Sequence, residues 1–151
     1  MKTQVKQVTN KLTVLFFLTA LVLASACKKE DKNEVKFNNI AIVGSEEVPA
    51  VTTTASGVLN ATYNKDTKMI SYTITHTGLT PTAMHFHKGA KGVAGGVEIG
   101  IGTAPFTSPV SGTTVALNTT QEADLLAGNW YVNIHTNLNK GGEIRGQLVA
   151  N

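Results

Sequence analysis

Apolar and polar side chains alternate without a break in Trp130-Tyr131-Val132-Asn133-Ile134-His135. Successive side chains of a strand point to opposite faces, so a period of two marks a strand as a period near 3.6 marks a helix. The same period recurs in Met84-His85-Phe86-His87 and in Glu143-Ile144-Arg145-Gly146-Gln147-Leu148. Apolar residues take one face of each segment. The other face carries His85, His87, Tyr131, Asn133, His135, Glu143, Arg145 and Gln147. From Val35 to Asn151 no helical period persists. Short runs rich in Val, Ile, Thr, Tyr and Phe are instead separated by Gly, Pro, Asn and Asp. These runs predict strands near 35–43, 56–64, 68–77, 83–88, 96–101, 113–118, 129–136 and 143–149.

Asn64-Lys65-Asp66-Thr67 is a polar turn cluster that makes a hairpin of the second and third strands. If the last two strands also form a hairpin, His135 opposes Glu143, Asn133 opposes Arg145 and Tyr131 opposes Gln147. One helical turn is expected at 120–127. Thr119-Thr120-Gln121-Glu122 has capping-box spacing, Leu125 and Leu126 supply an apolar face, and Gly128 ends it. The fold class that follows is all-β: a single antiparallel, Greek-key-like β-sandwich with one short helical turn.

Ahead of this domain, Leu12–Ala24 carries no charge and follows Lys2, Lys6 and Lys11. A membrane-spanning helix needs about 20 apolar residues, so a shorter run behind basic residues reads as a signal peptide. It exits through Ala24-Ser25-Ala26 into Cys27, the only cysteine, so no intramolecular disulfide can form. The segment resembles a bacterial lipobox, in which the cysteine thiol is acylated and becomes the new N-terminus. Residues 1–26 are thus expected to be a lipoprotein signal peptide, 27–34 a polar flexible tether, and 35–151 the folded domain. Lys28 after the cysteine resembles lipoproteins sorted to an outer membrane. The expected location is the cell envelope, on an outer membrane facing the periplasm or the cell surface, with Cys27 joining the protein to the bilayer.

Charge argues against nucleic acid. The chain has 13 Lys+Arg and 10 Asp+Glu. Removing the three leader lysines leaves the signs balanced, with no bulk field to draw in phosphate. Phosphate-cradling loops and a Gly-x-Ser-x-Gly elbow are absent from the sequence. With the cysteine spent on the lipid there is no evident nucleophile, and an enzyme is not expected.

The best chemical signal is His85-x-His87, whose rings project together from one strand. Two readings follow. The preferred one is a hydrogen-bonded cluster joining His85, His87, His135 and Arg145, with Glu143 as the shared acceptor and no cofactor. A guanidinium beside the site would repel a cation and compete for Glu143. In the alternative, His85, His87 and His135 hold copper or zinc, in a centre open to redox chemistry. The glycine-rich stretch from Lys88 to Gly96 reads either as a mobile connection or as a binding loop over the histidine face.

Three further groups of residues resemble one family. Glu47-Val48-Pro49 with Thr54-Ala55-Ser56-Gly57 resembles the opening of the CHRD (chordin) domain. Met84-His85-Phe86-His87-Lys88-Gly89 is similar to its central segment. Trp130 to Thr136, with Gly142 to Leu148, is similar to its closing motif. The resemblance spans about 37–149 and implies a β-rich extracellular module. In animal chordin such domains belong to proteins that sequester bone morphogenetic proteins, a ligand not expected in a bacterium. The expectation is therefore a non-catalytic binding or structural module whose partner is an unidentified protein or glycan. The His-x-His strand also resembles, locally, the copper strand of Cu/Zn superoxide dismutase.

Overall fold

The computed structural model describes residues 32–151. The signal peptide, Cys27 and most of the tether lie outside the described residues. Eight strands form one antiparallel sheet: β1 (Glu34–Val43), β2 (Ser56–Asn64), β3 (Met69–Thr77), β4 (Ala83–Lys88), β5 (Val97–Gly100), β6 (Val110–Thr113), β7 (Trp130–His135) and β8 (Ile144–Gln147). Their order across the sheet is β5-β4-β7-β8-β1-β2-β3-β6. The sheet curls over on itself, and Tyr72 of β3 meets Phe86 of β4 edge-on at 5.5 Å. The fold is all-β, as expected, with the two layers of the sandwich drawn from one continuous sheet.

Alternation fills the space between the layers. Leu59, Ala61 and Tyr63 of β2 face inward opposite Ile74, Tyr72 and Ile70 of β3. Met84 and Phe86, Trp130, Val132 and Ile134, and Ile144 enter from the other half. In β1 the inward positions change parity between Phe37 and Ile42, because a bulge separates Phe37 from Ile40. Asn39 adopts φ 56° there, a left-handed conformation that asparagine tolerates better than most residues. The β2–β3 turn forms as expected, with the Asn64 side chain accepting from the backbone of Asp66 and Thr67.

Two expectations are corrected. The sixth strand is Val110–Thr113 and not 113–118. Beyond Thr113 the chain still follows β3, but the Thr114 hydroxyl accepts the Ile70 N–H and breaks the regular ladder. Helix α1 (Thr119–Leu126) is capped one residue earlier than the sequence suggested. Asn118 is the N-cap and Gln121 closes the box. Only Leu125 is buried, since adjacent helix positions cannot share a face. Gly128, at φ 75°, ends the turn.

Candidate functional site

The expected register of the last hairpin is observed: Tyr131 opposes Gln147 and Asn133 opposes Arg145. On the other side of β7, His87 pairs with Tyr131, His85 with Asn133 and Ala83 with His135. Three strands thereby present one polar face. That face is not open. Every residue of β7 and β8 is buried, because two segments lie across it: 44–53, between β1 and β2, and the Gly89–Gly96 loop, between β4 and β5.

The histidines converge. Nδ1 of His85 lies 2.9 Å from Nε2 of His135, and one nitrogen from each of His85, His87 and His135 falls within 4.8 Å of the others. Their tautomers follow from their other partners. Nδ1 of His135 meets the Lys140 carbonyl at 2.9 Å and Nδ1 of His87 meets the Gly95 carbonyl at 3.0 Å. A carbonyl only accepts, so both Nδ1 atoms carry the proton and both Nε2 atoms carry a lone pair. His85 then donates from Nδ1 to His135. Nε2 of His87 is buried and makes no hydrogen bond among the described residues. Burial is the main cause holding His85 and His87 below the ordinary imidazole value, and the neighbouring histidines push the same way; at His87 the Gly95 carbonyl opposes it. A neutral imidazole offering a lone pair is what a transition-metal ion requires, and one nitrogen from each ring lies close enough to share an ion.

Arg145 does not join this cluster through Glu143. Its guanidinium stacks 3.5 Å from the centre of the Tyr131 ring. It donates to the carbonyls of Val93 and Ala90 at 3.0 Å each and to Oε1 of Gln147 at 2.8 Å. Tyr131 stacks in turn on His87, with centroids 4.9 Å apart. Glu143 faces elsewhere. It accepts from Thr136 at 2.7 Å and Thr53 at 2.8 Å, and the Thr136 hydroxyl is the first cause of its lowered pKa. The expected role of Glu143 as shared acceptor is therefore corrected. At the end of the hairpin, the two threonine hydroxyls take up its oxygens.

The carboxylate near Arg145 is Glu47, which the sequence had marked only as part of an opening motif. Burial raises its pKa, and the Arg145 charge and the Asn133 amide oppose that. Gly142 makes room for it: with φ 132°, a side chain there would collide with the Glu47 carboxylate and the Asn133 amide. Asn133 itself donates to the Gly141 carbonyl, so it supports the loop end, and its amide also acts on His87. Gln147 is spent on the backbone of Gly89, Gly128 and Trp130.

The model of the CHRD domain matches residues 39–148, from the β1 bulge to the end of the last hairpin. The chain belongs to the CHRD-domain family. No curated protein and no solved structure matches it. Within the CHRD domain, the segments that carry the resemblance meet at one place. The opening segment brings Glu47 beneath Gly142, the central one supplies His85 and His87, and the closing one supplies Tyr131, Asn133, His135, Glu143, Arg145 and Gln147.

Proposed function

We propose that this CHRD domain is an exported, lipid-tethered module of the bacterial cell envelope that binds a copper or zinc ion on His85, His87 and His135. The supporting observation is the pair of backbone carbonyls that fix the Nδ1 protons of His87 and His135 and turn both Nε2 atoms toward the cluster, where that of His87 makes no hydrogen bond among the described residues and that of His135 would exchange the His85 N–H for the ion. Such outer contacts are the usual companions of metal-ligating histidines. Arg145, the main sequence argument against a cation, gives its donors to Gln147 and the loop carbonyls and stacks on Tyr131, so it does not compete for the histidine nitrogens, although its charge still reaches His87. The ion would supply Lewis-acid or redox character, and the three rings would orient it. In this reading the module is non-catalytic and presents itself to a protein or glycan partner, without nucleic acid.

Elemental analysis of the detergent-solubilised full chain tests the site. About one ion per chain should survive dialysis, and His87→Ala or His135→Ala should each abolish it. A wild-type chain that takes up neither copper nor zinc would return the cluster to the hydrogen-bonded network preferred on sequence.

The tether has its own test. Cys27→Ser should leave unprocessed precursor or release the protein from the membrane fraction. Unchanged detergent partitioning with an unmodified mature mass would sink the lipid assignment.

A further inference from the structure

The Gly89–Gly96 loop reaches the histidines through shared groups and does not merely lie over them. The Gly95 carbonyl takes the Nδ1 proton of His87. The Tyr131 hydroxyl accepts the Gly95 N–H at 3.1 Å and lies 3.2 Å from the Gly95 carbonyl, while the Tyr131 ring stacks on His87. Arg145, on the other face of that ring, grips the loop at Ala90 and Val93, and Gln147 holds it at Gly89. The same contacts thus place the loop and orient His87.

We infer that this loop is the gate of the metal site: it closes when an ion is held and lifts for the ion to exchange, so loop closure and metal affinity are linked. The inference rests on the metal-binding reading above. With the loop closed, the His87 proton is committed to Nδ1 and the lone pair to Nε2. With the loop lifted, that commitment is lost, Tyr131 loses both contacts to Gly95, and Arg145 gives up two carbonyls. A cation on Nε2 draws electron density from the ring and makes Nδ1–H a stronger donor toward Gly95. Linkage requires the converse: whatever closes the loop tightens the ion by the same factor. Outer hydrogen bonds of this kind are worth about 10–100-fold in metal affinity.

Gly95 gives a handle that leaves every histidine side chain unsubstituted. A side chain there would collide with the Lys88 carbonyl, so Gly95→Ala forces the loop off β4. Tyr131→Phe removes the hydroxyl contacts to Gly95 and leaves the backbone and the ring stack in place. Lys91, exposed at the loop tip, offers a protease site, and Lys65 in the β2–β3 turn serves as a distant reference.

Stoichiometric zinc should slow tryptic cleavage of the full chain after Lys91 by about 10-fold or more relative to Lys65, the lower bound of that linkage. Gly95→Ala should bind zinc about 10–100-fold more weakly than wild type, still at one ion per chain, and Tyr131→Phe should be weakened in the same direction. If Gly95→Ala does not fold, the cleavage ratio and Tyr131→Phe decide. A wild-type chain that binds neither zinc nor copper overturns the metal site itself; one that binds copper alone is judged by the same cleavage ratio and affinities measured with copper. Zinc bound without protection of Lys91, or with unchanged affinity in the variants that fold, overturns the gate and leaves the site standing.

Discussion

Arg145→Ala is expected to destabilise the domain by roughly 3–5 kcal/mol, since three acceptors lose a charged donor at about 1–3 kcal/mol each. Arg145 is 1% exposed and its side chain ties β8 to the loop and to the Tyr131 ring. Alanine leaves two loop carbonyls and Oε1 of Gln147 without their donor, and removes the nearby charge that opposes the raised pKa of Glu47. Domains of this size are stable by about 5–15 kcal/mol, so the loss is a large fraction of the total. Arg145→Lys keeps the charge but has no planar fork to serve three acceptors at once, and should recover only part of it. Urea unfolding midpoints of the full chain measure both. A loss under about 1 kcal/mol, the worth of a typical hydrogen bond, would mean that the loop and the polar face are held by other contacts.

Trp130→Ala should cost a similar amount, roughly 3–5 kcal/mol, through a different term. The indole is fully buried, stands 6.3 Å from Phe86 and makes no hydrogen bond through its N–H among the described residues. What alanine removes is packing: apolar area returned to water and a void that close-packed neighbours only partly fill. Trp130→Phe keeps much of that volume and should retain most of the stability. Tryptophan emission in the wild type should be blue-shifted, and a solvent-like maximum would contradict the burial.

Alternation carried much of the fold. It put Trp130, Val132 and Ile134 in the core, set the β7–β8 register, and collected His85, His87 and His135 on one side. A period of two says which side chains share a face, but not what covers that face. The coverings are irregular segments whose paths depend on long-range contacts. Thr53 reaches Glu143 across 90 positions, and Arg145 reaches Val93 across 52. Glu47 lies beside a three-residue turn with no period to read, so its place beneath Gly142 had no local signal beyond its position before Val48-Pro49. The tautomers were hidden for a related reason. They are set by the Gly95 and Lys140 carbonyls, and backbone carries no sequence label. The sixth strand slipped because Thr114 bonds to Ile70 of β3, and Leu117 to Lys68 just ahead of it, as irregular chain, which β-propensity does not distinguish from a ladder.

The position of β1 bears on how the molecule takes a load. It is the first strand after residues 1–31, yet it lies inside the sheet, between β8 and β2. The far end of the chain clasps it too, since Asn151 bonds to Lys36 and Asn38. Tension arriving from upstream of Glu34 therefore runs along a strand gripped from both sides. When the opposing load acts at the Val43 end of the sheet, the hydrogen bonds to β2 are loaded together, in shear. Pulled along that axis the domain should resist with the whole β1–β2 ladder, whereas the four-residue edge strand β6 has only a short ladder to resist with.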